Sequence, residues 1–535
     1  MKTNINSIVI VGGGSAGWMS AATLIKAFPD KKITVIESSS IPTVGVGEST
    51  LGQIRNWMHA IDLKEEDFFT EVDASYKTGI KFTDFYKKDY GSFYYPFGAM
   101  LPYMTDDAVV GLNTWLAKKH YYPETPVEDY CRTWIPNTYL LENNKYSENI
   151  DGRLNPYRPE IHTAYHFDAS KFGVYLKEKF CIPRGVEVID AKVIDAIVSE
   201  EGIEILSLDN QNTITADLFV DCTGWKSLLL SGYMKEQFNS YEEMLPNNKA
   251  WAVRIPYKNK EKELEVSTNC TAIENGWCWN IPLWSRLGAG YVYSDKFITS
   301  EEAKEEFKKY LMSEKMTIPR TKKEVDSLEY KEITMRVGIH DRVWVKNVVA
   351  IGLSAGFIEP LESNGLFTVH EFLLKLVKSL GREITTQLDI DTFNYGVSEI
   401  YESFAQFVAI HYALSVRQDT EYWRHVTQKT YNKKGKIEYR PTISDGFFRL
   451  AEKKMFAQEH LSSGATHCIA NGMNYFVVDE VAVSAWELHY DSEMKNKVDI
   501  FIKNRGFLQA MWSQVEQESP TLYEYLKGRY YDEQF

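Results

Sequence analysis

The chain has 535 residues, enough for two or three cores, and its 44% hydrophobic and 25% charged content is that of an ordinary globular enzyme. A net charge of −14 argues against nucleic acid as a partner. The six Cys are scattered, with no C-x-x-C pair and no zinc-ligand spacing, which excludes a metal framework and fits a reduced cytoplasmic compartment; no apolar run is long enough to cross a membrane.

In chain order, residues 7–11, SIVIV, are β-branched and lead into GGG, which predicts a buried parallel strand rather than a signal peptide. SAGWMSAATLIKAF reads as a helix, and KKITVIE (31–37) as a second strand ending in Glu37, which completes a βαβ unit. ADLFVDCTGW is a further strand-like run ending at Gly224. KNVVAIGLSAGF is another, followed by a helix from about Leu366. These segments predict one discontinuous cofactor domain over 1–85, 150–230 and 330–385. The insertions at 86–149 and 231–329 carry WAVRIPY, GWCWNIPLW and GAGYVYS and are expected to form a mixed β-sheet and substrate region. Residues 386–535 read mostly as amphipathic helix, with KKGK at 433–436 as a solvated turn. The expected class is α/β (α+β).

Gly12, Gly14 and Gly17 form G-x-G-x-x-G after a strand and at a helix start, with Glu37 closing the next strand. In that setting the first glycine allows the tight turn, the second admits a pyrophosphate, the third lets helix and strand pack, and the acid binds a ribose hydroxyl. Ser15 and Ala16 complete the loop. The two later strand-then-glycine segments, around Asp221–Gly224 and at Gly352, favour an extended FAD over NAD, as in the flavoprotein monooxygenase layout.

FIEPLESNG, residues 357–365, precedes a helix. Ser363 is expected to cap it, leaving the amides of Asn364 and Gly365 to bind an anion such as a halide or a flavin carbonyl. A carboxylate beside an anion is unfavourable, so either Glu359 or Glu362 is expected to point into another cavity. Lys77 lies among Tyr76, Ile80 and Phe82, and a desolvated lysine is a nucleophile or a directed hydrogen-bond donor. In the strand GWCWNIP, Trp277, Trp279 and Ile281 share one face.

Together, GGGSAGWMSA, GVGEST (with Gly47, Glu48 and Ser49), ASYK, WCWNIP, FIEPLESNG and RQDTEYW resemble the flavin-dependent tryptophan halogenases. The resemblance covers most of the chain to about residue 425. It implies reduced FAD from a separate NAD(P)H-dependent flavin reductase, a halide ion bound at Asn364 and Gly365, and hypohalous acid relayed to Lys77. Glu362 would position the electrophile or take the ring proton of a small aromatic substrate. A dimer is the assembly the family implies. Trp277 and Trp279 would then wall the flavin off from the substrate.

The chain departs from the family at FYYPFG, where Phe97 is kept but Tyr95 stands in place of a substrate-sandwiching histidine. SSGATHCIANGMNYF (462–476) offers no match to the residues that grip tryptophan. The expected substrate is therefore indole-like or phenolic rather than free tryptophan. The competing readings are an aromatic hydroxylase, which has no use for Lys77 with Glu362, and a non-catalytic FAD-binding protein.

Overall fold

The computed structural model describes residues 2–41, 47–98, 118–427, 429–431, 437–439, 463–474 and 492–532. The N-terminal βαβ unit forms where the glycines predict it. The β-branched run Ser7–Val11 is the strand, Ser15–Ala27 the helix and Lys32–Glu37 the next strand. Ser7–Val11 pairs in parallel with Lys32–Glu37 on one side and Leu218–Asp221 on the other. Glu187–Asp190 extends the sheet at one end, and Val348–Ala350 with Trp344–Val345 at the other. Only the last pairing in these six strands is antiparallel. A sheet covered on both faces needs apolar runs rather than alternation, and Ile8, Ile10, Val35, Phe219 and Val349 are fully or almost fully buried.

A second, seven-stranded sheet runs in the order Lys331–Thr334, Lys249–Ile255, Leu287–Tyr293, Gly276–Pro282, Ser267–Ala272, Gly79–Thr83, Ser92–Pro96. The three strand signals of the 231–329 insertion are all in it. Gly79–Thr83 also belongs to it, paired in parallel with Ser267–Ala272, although it was expected within the cofactor domain's first segment. The reason is alternation: Ile80 and Phe82 are fully buried while Lys81 and Thr83 are half-buried, the pattern of a strand with one covered face. Among the described residues, the 86–149 insertion contributes the strand Ser92–Pro96 to this sheet and, later, the short helices Asp129–Trp134 and Thr138–Glu142. A small sheet of Glu48–Ser49, Ala164–Phe167 and Ser75–Lys77 lies at the junction.

Beyond residue 386 the expected helices are present as Gln387–Ala413 and Ser492–Glu518. A β-hairpin, Lys429–Tyr431 with Ile437–Tyr439, interrupts them. KKGK at 433–436 and Gly45 of GVGEST lie outside the described residues, as do the ends of the 462–476 stretch. Among the described residues no helix is long and apolar enough to cross a membrane, and no cluster of His, Cys, Asp and Glu is placed to hold a metal.

Candidate functional site

The three glycine segments converge on the C-terminal edge of the parallel sheet. Gly12 has φ +118°, and a Cβ there would stand 2.2 Å from the carbonyl oxygen of Cys222. At Gly17 a Cβ would stand 1.8 Å from the oxygen of Gly12, so helix and loop meet backbone to backbone. The third segment closes on the first two: Gly352 approaches Ala16, and the Ser354 hydroxyl donates to the carbonyl of Gly224 at 3.2 Å. The Ser15 hydroxyl donates to Ala169 at 3.0 Å. The Ser15–Ala27 helix opens at Gly14 with no side-chain cap and no acid in its first turn. Its first amides are therefore available to a phosphate, and the cradle fits the dinucleotide half of FAD. Glu37 ends its strand as expected, but its carboxylate is also tied to Trp18 Nε1 (3.2 Å) and Lys177 Nζ (2.5 Å).

The second centre is made of side chains. Lys77 ends the strand Ser75–Lys77 and is fully buried. Its ammonium donates to the Ser363 hydroxyl (2.7 Å) and the Thr50 carbonyl (3.0 Å), and lies 4.9 Å from the centre of the Phe97 ring. Burial pushes its pKa down to about 7, while the charge of Glu362 and the nearby Cys270 thiol pull the other way. Ser363 in turn bonds Ser49, Ser49 bonds Thr268, and Thr268 bonds His166 Nε2 (3.0, 2.6 and 2.8 Å). Burial, with the Lys77 charge second, holds His166 well below the ordinary histidine range. In the small sheet Ser49 and Ser75 both pair with His166.

Ser363 begins the helix Asn364–Leu380 but does not cap it with its side chain. Its backbone is left-handed (φ 57°) and its hydroxyl is already committed to Lys77 and Ser49. The Asn364 and Gly365 amides thus remain without an acceptor inside the helix. A Cβ on Gly365 would meet only Glu48, at 3.8 Å, which leaves room at the helix start. Glu48 itself is pushed up to about 7 by burial and by Asp168.

The two glutamates of the loop part company. Glu359 is buried and accepts from Asn247 Nδ2, Trp277 Nε1 and the Tyr412 hydroxyl at 2.7, 2.9 and 2.9 Å. Burial raises it, and those donors oppose the rise. Glu362 lies with Lys77, and its Oε1 is 2.8 Å from His411 Nε2. Trp277 and Trp279 share a buried face, ring centres 6.2 Å apart. Gly290, the cross-strand partner of Trp279, makes room for that ring: a Cβ there would fall 2.1 Å from it. Phe97 packs edge-on against Tyr95 at 5.4 Å, beside Lys77.

Sequence reasoning missed His166, Thr268, Asn247, Tyr412 and His411. None is in a motif with Lys77. Only the helical run Gln387–Ala413 marked the strand of chain that delivers Tyr412 and His411.

A family model described as tryptophan halogenase matches residues 7–473. The 7-chloro-L-tryptophan 6-halogenase KtzR of Kutzneria sp. (strain 744) is 34% identical over 441 residues, 78% of this chain and 81% of that protein. Tryptophan 7-halogenase RebH of Lentzea aerocolonigenes is 32% identical over 440 residues, 79% of each. Among solved structures, one titled VirX1 apo structure superposes with a TM-score of 0.86 at 38% identity, covering 99% of this chain and 100% of that one. Tar14, a tryptophan C-6 flavin-dependent halogenase (chlorinase) from taromycin biosynthesis, gives 0.82 at 30% identity, covering 97% and 99%.

Proposed function

The chain belongs to the tryptophan halogenase family, a family of flavin-dependent enzymes that use FAD and halide, and from that membership we propose that it halogenates an indole-like or phenolic aromatic substrate at Lys77 and Glu362. When bound, reduced FAD, delivered by a separate reductase, supplies hypohalous acid with dioxygen and a halide ion. The cofactor would be held by Gly12, Gly14, Ser15, Ala16, Gly17, Glu37, Gly47, Glu48, Ser49 and Gly352, and the halide by the Asn364 and Gly365 amides. The domain of residues 1–85, 150–230 and 330–385 carries this cradle, with Gly79–Thr83 given over to the second sheet.

The observation that carries the reading is the buried ammonium of Lys77 brought to the Glu362 loop from a distant part of the chain. The Lys77 ammonium donates to the oxygen of the hypohalous acid and orients its halogen. Glu362 takes the ring proton after attack. The Trp277–Trp279 face excludes the aromatic substrate from the flavin side, which suppresses hydroxylation. Tyr95 and Phe97 form the aromatic side of the substrate pocket.

The names of the relatives speak for tryptophan as the acceptor. Tyr95 in place of the family's histidine speaks for another indole or a phenol, and that is the reading put forward. The test is a panel of indoles and phenols, tryptophan included, with FAD, a reductase, NADH and chloride, bromide or iodide, read by mass. Halide-dependent products from non-amino-acid acceptors, faster than from tryptophan, are expected. Halide-independent hydroxylation, or tryptophan as the preferred acceptor, overturns the mechanism or the substrate assignment respectively.

A further inference from the structure

The ring proton needs a carboxylate held ready for it, and Glu362 is buried with His411 at ion-pair distance and the charge of Lys77 nearby. His411 sits near the C-terminal end of the helix Gln387–Ala413, fully buried. Its Nδ1 faces two carbonyl oxygens of its own helix, Phe407 at 3.1 Å and Val408 at 3.2 Å. Only a protonated nitrogen satisfies those acceptors, so Nδ1 carries hydrogen. Nε2 then stands 2.8 Å from Glu362 Oε1, the distance of an ion pair although not aligned as a hydrogen bond, and so close an approach favours a proton between them. Two bare lone pairs would repel there.

The helix end decides where that proton rests. The last carbonyls of a helix favour a cation. The rings of Phe82, Phe407 and Phe85 surround the imidazole, with centres 4.9, 5.6 and 6.3 Å away. An imidazolium there answers both the helix carbonyls and the carboxylate, whereas a neutral ring answers only one. Glu362 Oε2 is likewise buried, and among the described residues neither carboxylate oxygen is in an aligned hydrogen bond; Oε1 is the oxygen that stands 2.8 Å from His411 Nε2.

We propose that His411 is a positioning residue for Glu362. As an imidazolium it holds Oε1, and it leaves Oε2 as the oxygen that receives the proton from the halogen-bearing ring carbon. The C–H bond breaks, its electron pair restores the aromatic ring, and the proton forms a bond to Oε2. This rests on the halogenase reading of the site. Without His411 the carboxylate is a buried charge short of a partner, and it takes up a proton instead of waiting for the substrate's.

His411→Phe keeps the ring packing and removes the charge. His411→Gln restores a donor to Oε1. Halogenation by His411→Phe is expected to fall about a hundredfold, at the low end of what a positioned base contributes, while flavin oxidation continues. The ring-deuterium isotope effect in competition should rise clearly above unity, because proton loss becomes slow, and His411→Gln should recover part of the rate. Undiminished halogenation with an unchanged isotope effect overturns the proposal. A separate readout needs no flavin, halide or substrate. In the imidazole 15N spectrum at neutral pH, the His411 signal, assigned by its loss in His411→Gln, should be that of an imidazolium and should change in Glu362→Gln. A neutral His411 signal, or one unmoved by Glu362→Gln, overturns the pairing even if the enzyme halogenates nothing on the panel. A silent panel with a Glu362-dependent imidazolium instead removes the halogenase reading and leaves the pairing standing.

Discussion

The glycine cradle and the Lys77 chamber are built by opposite means. The cradle is backbone: Gly12, Gly17 and Gly352 matter because their neighbours are main-chain or small side-chain atoms at contact distance. The chamber is side chain: Lys77, Ser363, Ser49, Thr268, Glu362 and His411 come from five separate segments, the first four joined by single hydrogen bonds and the last two by an ion-pair contact. The glycine contacts fix shape and dipole and titrate nothing themselves, although Glu48 at the cradle's inner edge is pushed up to about 7. A buried side-chain site fixes charge, and its pKa values are displaced, with Lys77 at about 7 and His166 held low. Perturbed groups of this kind gather where chemistry is done. One region is suited to holding a cofactor, the other to using what the cofactor makes.

The sharpest way to break that division is to damage each region alone. Lys77→Ala should cost at least about a hundredfold in halogenation, the scale of a positioned proton donor, and leave FAD binding and NADH-driven flavin oxidation intact. Gly12→Ala should do the reverse. Its Cβ would collide with the Cys222 carbonyl, so FAD binding, followed by fluorescence, should be lost together with every downstream activity. If Lys77→Ala also lost the flavin, the two regions would not be separable and the assignment of roles would fall.

A smaller effect is expected at the wall between them. Trp277 is pinned by its Nε1 to Glu359, which Asn247 and Tyr412 hold in turn. Trp279 lies over Gly290. Replacing both tryptophans by alanine should leave flavin reduction unchanged, lower the halogenated yield severalfold, and raise hydrogen peroxide or hydroxylated product. Fully coupled halogenation by the double variant would show that the face is packing alone.

How much of this was readable in advance follows the same division. Gly12, Gly14, Gly17 and Glu37 fall within a few turns of chain, so their spacing is a local signal, and the Ser7–Glu37 unit formed as read. GWCWNIP likewise gave its strand and face from alternation. Ser363 was misread as a side-chain cap, because the competing partner, Lys77, is invisible from the loop's own sequence. His411 and Thr268 carry no local signature at all: one lies in a helix and the other in a strand with ordinary patterns. Gly79–Thr83 was assigned by sequence proximity to the cofactor domain, whereas its pairing with Ser267–Ala272 is long-range and only the fold reveals it.

The smallest expected effect tests the chamber's charge directly, through stability rather than turnover. The folded-state pKa of Lys77, about 7, lies below its ordinary 10.5. Between those values the unfolded chain binds the extra proton, so stability rises with pH across that window. Below about 7 the lysine is charged in both states and the cost of burying it is complete. Above 10.5 it is neutral in both and the cost is gone. Lys77→Met keeps the stem and removes the charge, at the loss of the bonds to Ser363 and Thr50. The variant should therefore be more stable than the parent on the acid side of the window, by about 1–4 kcal/mol as for other buried ion replacements. The advantage should shrink steadily as pH climbs toward 10.5. Urea unfolding across that range measures it. A constant difference at every pH would mean that Lys77 keeps an ordinary pKa in the fold, and the chamber would then lack the desolvation on which the cradle–chamber distinction depends.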